Sequence, residues 1–173
     1  MNQTAYDPTM YKETQQREWD AVAAGWKKWW EWFELRAQHV SNRLIEIGNV
    51  QPGQNVLDVA TGIGEPALTA AYKVGPEGHV IATDQAAGML EIAGERKASL
   101  RLENLEFKHM DAEALDFPDE SFDTVLCRGG SCSCRTWKAL WGRSGGCSGQ
   151  GADSPPPYGA CPRRHQASAW RWE

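Results

Sequence analysis

No stretch of this chain approaches the roughly 18 consecutive apolar residues of a membrane span. The polar run from Met1 to Asp20 also lacks the apolar segment of a secretory signal, so the expected location is cytoplasmic. Positive charge is in deficit: 18 Lys and Arg face 23 Asp and Glu, a formal net charge of −5. With no basic stripe either, nucleic acid is excluded as an expected partner. There are five cysteines but no C-x-x-C pair, and Cys132, Cys134, Cys147 and Cys161 crowd one unusual stretch. Such spacing supports neither a zinc site nor a disulfide framework, and incidental thiols are the favoured reading.

The 173 residues allow one domain with a real core. Aliphatic side chains are distributed very unevenly within it. Residues 129–173 contain eight glycines, and Leu140 is their sole member of the Val, Ile, Leu, Met and Phe set. Residues 1–128 carry 12 Lys and Arg against 21 Asp and Glu, whereas 129–173 carry 6 against 2. A segment so poor in apolar surface cannot offset its ordering entropy, and it is expected to be unstructured.

What the chain does have is concentrated between Asn55 and Pro66, Asn-Val-Leu-Asp-Val-Ala-Thr-Gly-Ile-Gly-Glu-Pro. Val56, Leu57, Val59 and Ala60 predict a strand buried on both faces, interrupted by Asp58, whose carboxylate then needs partners. Gly62 and Gly64 follow, and Glu65 to Leu68 read as the first turn of a helix. Glycines that let the backbone approach a ligand, set before a helix N-terminus, suit the anionic end of a nucleotide-like molecule. The third glycine of the dinucleotide fingerprint is missing, because Ala67 stands in its place.

Around this stretch the pattern alternates between helix and strand. Residues 1–12 read as a polar arm. Glu13 to Ile47 reads as two helices broken or kinked near Gly25, with Trp19, Val22, Trp26, Trp29, Trp30 and Phe33 at three- and four-residue steps. Five tryptophans among the first 32 residues either pack the helix onto a sheet or form an aromatic lid; both readings stay open. His79 to Asp84 is a second strand, and Asp84 lies twenty positions after Gly64, the interval at which an acidic residue meets a ribose. An Asp there could equally cap the next helix, Ala87 to Leu100. Leu105 to Met110 alternates as a third strand and Phe122 to Cys127 is a fourth. His109 is read as an ordinary strand side chain, and Asp123 as capping or orienting the site from the start of its strand.

The block D-x-x-x-G-x-G, the strand-end Asp84, Asp111-Ala112 and F-P-D-x-S-F-D together resemble class I S-adenosylmethionine (SAM)-dependent methyltransferases. They are most similar to the branch containing the ubiquinone/menaquinone C-methyltransferases. The resemblance runs from about Trp19 to Arg128. It implies an α/β Rossmann-like fold with an incomplete parallel sheet of order 3-2-1-4. The corresponding division is a Trp-rich helical cap (1–50), a SAM-binding half-domain (51–128) and a tail (129–173). It also implies a cofactor site drawn from Asp58, Ala60, Thr61, Gly62, Gly64, Asp84, Gln85, Met89, Asp111, Ala112 and Cys127. Asp84 would take the ribose hydroxyls, Asp111 the adenine amino group, and the backbone N–H of Ala112 the ring. Met89 is as readily core filler. The implied activity is methyl transfer to a small-molecule acceptor, with no metal and no assignable catalytic residue. A non-catalytic SAM-binding fragment and a dinucleotide-dependent oxidoreductase are the alternatives.

The tail is expected to result from a reading-frame shift near Arg128. Permitted codons for the residues after Arg128, read from the third base of its codon, give W-G-L-M-F-L-P-D-L-E-S-A. Those for Gly146 to Gly159 can give V-L-R-P-G-G-R-F-A-A-A-V-W in the same frame. Both blocks resemble the family's continuation beyond its fourth strand.

Overall fold

The computed structural model describes residues 7–129 and the backbone of 158–162. The chain begins with one long helix, α1 (Pro8–Ile47), followed by β1 (Asn55–Val59), α2 (Ala67–Val74), β2 (His79–Asp84) and α3 (Ala87–Leu100). Three further strands are β3 (Leu105–His109), β4 (Thr124–Arg128) and β5 (Tyr158–Pro162). The sheet order is β3-β2-β1-β4-β5, with the first four strands parallel and β5 antiparallel to β4. The expected order 3-2-1-4 therefore holds. A fifth strand absent from the sequence reading is added at the β4 edge, with Leu126 opposite Ala160. The rest of the tail, on which the out-of-frame expectation falls, lies outside the described residues.

Helix α1 departs from the expected pair of helices. Asp7 caps it through Oδ1, accepting from Thr9 N at 2.9 Å, and Pro8 occupies the first helical position, where its missing N–H costs nothing. The helix thus starts inside the segment read as a loose arm, and it continues through Gly25 without a break. A glycine inside a helix costs only about 1 kcal/mol relative to alanine. The inward face outweighs that cost, since Ala23 is buried before Gly25, while Trp26 and Trp30 pack on the same cluster after it. Farther along, Ser41, Leu44 and Ile45 continue the buried face.

Strand β1 lies at the centre, and its alternation divides the core. Val56 joins Val80, Ala82, Leu105 and Leu126 under α2, which contributes Ala67, Leu68, Ala70, Ala71 and Val74. Leu57 and Val59 point to the other side, with Val125, Leu115, Phe117 and Phe122. A third cluster joins Ala23 of α1 to Ile63, Ala86, Met89 and Ile92 and ties the long helix to α3. Helix α3 has no side-chain cap of its own at Ala86. Instead Asp20, from α1, accepts from Gly88 N at 2.9 Å and satisfies a donor of the first turn. Packing of α1 on α3 thereby fixes the long helix over the carboxyl ends of the strands.

Candidate functional site

In a parallel sheet, ligands lie outside the carboxyl ends of the strands. Here those ends open on a cavity of about 270 Å³. Its floor is the β1–α2 turn (Ala60, Thr61, Gly62, Ile63, Glu65), and β2 supplies Asp84 and Gln85. Met110 to Glu113 follow β3, Arg128 and Gly129 come from the end of β4, and Met89 projects from α3. Tyr11, Lys12, Gln15, Trp19 and Trp26 close it from α1.

The turn after β1 is held open by unusual backbone. Gly62 and Gly64 have φ of 57° and 105°, and Ala60 shares the left-handed region at 57°. A Cβ on Gly62 would meet nothing, whereas one on Gly64 would lie 3.0 Å from Leu68 Cδ1. Gly62 thus leaves room beside the turn, and Gly64 allows α2 to pack close behind it.

Asp84 locks this turn to β2. Its Oδ2 accepts from Gly62 N at 2.7 Å and its Oδ1 from Ala86 N at 2.9 Å. The second bond closes a turn ahead of α3 and reaches no first-turn N–H of that helix, so Asp84 does not cap it, and the carboxylate lines the cavity. Burial pushes its pKa up, opposed by the bonds from the backbone N–H groups of Ala86 and Gly62. A carboxylate offers about four lone-pair positions, so two backbone bonds leave acceptor capacity for a ligand.

Asp58 sits beneath the turn and is wholly buried. Its Oδ2 accepts from Ala67 N at 3.1 Å, at the start of α2, which supplies the partner its position in β1 requires. Neither Asp58 Oδ1 nor the Thr61 hydroxyl has a partner of full hydrogen-bond geometry, although the hydroxyl is close enough to favour the charged form. Burial dominates and raises the Asp58 pKa to about 7.

The eleven residues read from the sequence thus divide. Ala60, Thr61, Gly62, Asp84, Gln85, Met89, Asp111 and Ala112 line one cavity. Asp58 and Gly64 shape the turn from behind. Cys127 is buried in β4 and does not line the cavity. Met89 packs in the cluster with Ile92 and also lines the cavity. His109 is an exposed strand residue whose Nε2 lies 2.8 Å from Gln85 O. Asp123 caps rather than orients: its Oδ2 accepts from Asn55 N at 2.9 Å, at the amino end of β1, opposite the cavity.

Sequence reasoning missed a set of charged residues. Lys12 pairs with Asp111 Oδ2 at 2.8 Å and with Glu113. Arg128 grips the buried Glu34 with two nitrogens, at 2.7 and 3.0 Å, and donates to Ser41 Oγ. Buried Glu65 accepts from Thr69 Oγ1 at 2.6 Å and lies 3.6 Å from Arg96, whose guanidinium stacks on Trp30. These pairs join residues distant in the chain, and no local pattern marks them. Among the described residues, no group of His, Cys, Asp and Glu could hold a metal ion, and no helix is long and apolar enough to cross a membrane.

A family model described as a methyltransferase domain matches residues 56–142, past Arg128, where the sequence resemblance was placed to end. A demethylmenaquinone methyltransferase of Listeria monocytogenes is 41% identical over 81 residues, 47% of this chain and 34% of the relative. A ubiquinone/menaquinone biosynthesis C-methyltransferase of Pseudomonas savastanoi is 36% identical over 107 residues, 61% of this chain and 38% of the relative. The chain thus spans little more than a third of the length of these relatives. Among solved structures, a SAM-dependent methyltransferase from Aquifex aeolicus superposes with a TM-score of 0.55 at 23% identity. That match covers 60% of this chain and 57% of the other, and it establishes the fold.

Proposed function

Since this chain belongs to the methyltransferase-domain family, we propose that its cavity binds SAM and that it forms the cofactor-binding part of an enzyme methylating a small molecule. The observation that carries this reading is the Asp84–Gly62 bond, which sets a half-buried carboxylate beside an open glycine turn at the strand ends. The donor set fits the group. Asp84 would hold the ribose hydroxyls, Asp111 the adenine amino group, and Ala112 N–H the ring. Ala60, Thr61 and Gly62 would supply the backbone wall. Buried Asp58 Oδ1 and Thr61 Oγ1 lie beneath with acceptor capacity unused. When bound, the cofactor supplies a methyl group activated by a sulfonium.

The protein's part is positioning and exclusion of water. Asp84, fixed by two backbone donors, sets the depth at which a nucleoside can lie. Trp19 and Trp26 close the cavity from α1 with apolar surface and suit a flat, apolar acceptor. The relatives' names specify quinone-type acceptors, and an acceptor of that class is part of the proposal. Residues 1–50 serve as the cap and 51–128 as the cofactor-binding half.

Calorimetry with SAM, S-adenosylhomocysteine and NAD tests the reading. Binding of the first two without the third is expected. Binding of NAD alone would favour the oxidoreductase alternative and overturn it. Binding of SAM with no methyl transfer to any quinone would mark a non-catalytic fragment.

A further inference from the structure

Helix α1 buries one face over the cavity and exposes another that is both aromatic and cationic. Trp29 is 53% exposed, Trp32 50% and Leu35 81%, within seven residues of one helix, and apolar side chains exposed together mark an interaction surface. Lys28 Nζ lies 5.0 Å from the centre of the Trp29 ring, and the Arg36 guanidinium lies 4.0 Å from that of Trp32. Among the described residues, neither cation pairs with a carboxylate. Of the two carboxylates between them in sequence, Glu34 is turned inward and held by Arg128, so Glu31 alone is exposed. The chain as a whole is acidic, at −5, which makes a cationic aromatic face a local reversal.

We propose that this face of α1 rests on an anionic lipid surface. The choice of occupant follows from the combination of side chains. The buried centre of a protein–protein interface is depleted of Lys, so unpaired Lys28 beside Trp29 would be desolvated there at a cost. The headgroup layer accepts both kinds of residue at one depth: indoles lie at the boundary between polar and apolar lipid, and cationic heads reach phosphates while their stems cover the rings. Each Lys or Arg near such a surface adds attraction that salt weakens. The inner face of the same helix carries Trp19 and Trp26 into the cavity. Docking would therefore set the cavity wall against the membrane. The proposal concerns the outer face alone and is independent of what the cavity binds.

The test is sedimentation of the full chain with vesicles of phosphatidylglycerol and phosphatidylcholine in equal parts, compared with vesicles of phosphatidylcholine alone. Binding to the anionic vesicles is expected, with a blue shift of tryptophan fluorescence and loss on adding salt. Lys28→Glu with Arg36→Glu should weaken it by at least about tenfold. Trp29→Ser with Trp32→Ser should abolish the fluorescence shift and the binding. Both pairs are exposed and outside the core, so the fold is retained. Three results would each overturn the proposal: no binding by the unaltered chain, binding indifferent to both double variants, or self-association without lipid that disappears in the Trp29→Ser, Trp32→Ser variant. The last would assign the face to a second copy of the chain.

Discussion

Lys12 Nζ lies 2.8 Å from Asp111 Oδ2, joining the second turn of α1 to the residue two places beyond β3. The bond ties the lid helix to the far wall of the cavity, and Glu113 shares the same ammonium. Partial burial pushes the Asp111 pKa up, but the Lys12 bond and charge, with Glu113 N–H, outweigh it and leave the carboxyl below its ordinary range. For Lys12, burial lowers the pKa and the two carboxylates raise it further, above 10.5. The pair's contribution is therefore complete between the ordinary values of 3.8 and 10.5. It is lost as pH falls through the depressed Asp111 value or rises through the elevated Lys12 value.

If Asp111 receives the adenine amino group, Lys12 competes with the ligand for the same carboxylate. Lys12→Met should then speed association of S-adenosylhomocysteine, measured by stopped-flow tryptophan fluorescence. The rate in the unaltered chain should rise with salt, which screens a partly exposed pair, and the variant should show little such dependence. Equal rates in both proteins at all salt concentrations would remove Lys12 from the path of the ligand.

Asp58 gives a pH dependence of opposite sign. Its pKa rises from 3.8 in the unfolded chain to about 7 in the fold, so the native state prefers the protonated form. The stability this group contributes is complete below about pH 4, declines as pH rises, and is lost above about 7. Asp58→Asn should flatten this decline and leave the variant the more stable protein at pH 8, while its side-chain oxygen still accepts from Ala67 N. Urea titrations of both proteins at several pH values measure it, and an unchanged difference between pH 4 and 8 would show that Asp58 titrates normally.

For Asp84, the expected loss concerns binding. Bonds from two ribose hydroxyls to a charged acceptor are each worth about 1.5–3 kcal/mol. Asp84→Ala should weaken SAM binding accordingly and also leave Gly62 N–H without its partner. Asp84→Asn retains one oxygen and should lose less. Affinity unchanged in both variants, measured by calorimetry, would reduce Asp84 to a brace between β2 and the glycine turn.

The elements legible in the sequence were those specified locally. Val56 to Val59, His79 to Asp84 and the helix from Ala87 to Leu100 carry their periodicity and turn residues within a few positions, and the structure places them there. Two features depended on distant partners. Gly25 reads as a break, but burial of Trp26 and Trp30 against α3 carries the helix through it. The loose-arm reading of the first residues passed over a local signal, Asp7-Pro8 as a cap, and had no sight of Lys12 as one half of a pair whose other half lies 99 positions away. Glu34–Arg128 and Glu65–Arg96 were illegible for the same reason.

The turn itself stores strain that a single substitution would relieve. Ala60 has φ of 57°, a conformation that costs a residue with a Cβ about 1–2 kcal/mol and costs glycine little. Ala60→Gly gains flexibility in the unfolded chain, which offsets part of the gain. A net rise in stability of about 0.5–1 kcal/mol is expected from the urea midpoint. A fall would mean that Ala60 is held by contacts of its methyl group.

The edge of β4 bears on the origin of the tail. Residues 129–173 have almost no aliphatic side chains, yet Tyr158–Pro162 pairs with β4. An open strand edge recruits any extended backbone, because ladder hydrogen bonds require no particular side chains. Pairing of β5 is therefore compatible with a sequence never selected to fold. We expect a one-base shift at Arg128, whose restored frame encodes Leu-, Phe- and Val-containing blocks in place of the Gly- and Ser-rich ones. Resequencing the gene reads this directly, and expression with the base restored supplies a functional comparison. The restored protein should bind S-adenosylhomocysteine more tightly and unfold at higher urea, since aliphatic strands would take the place of β5 on the β4 edge. A gene whose codons after Arg128 do not encode W-G-L-M-F-L-P-D and V-L-R-P-G-G-R-F in the shifted frame would overturn this account of the tail.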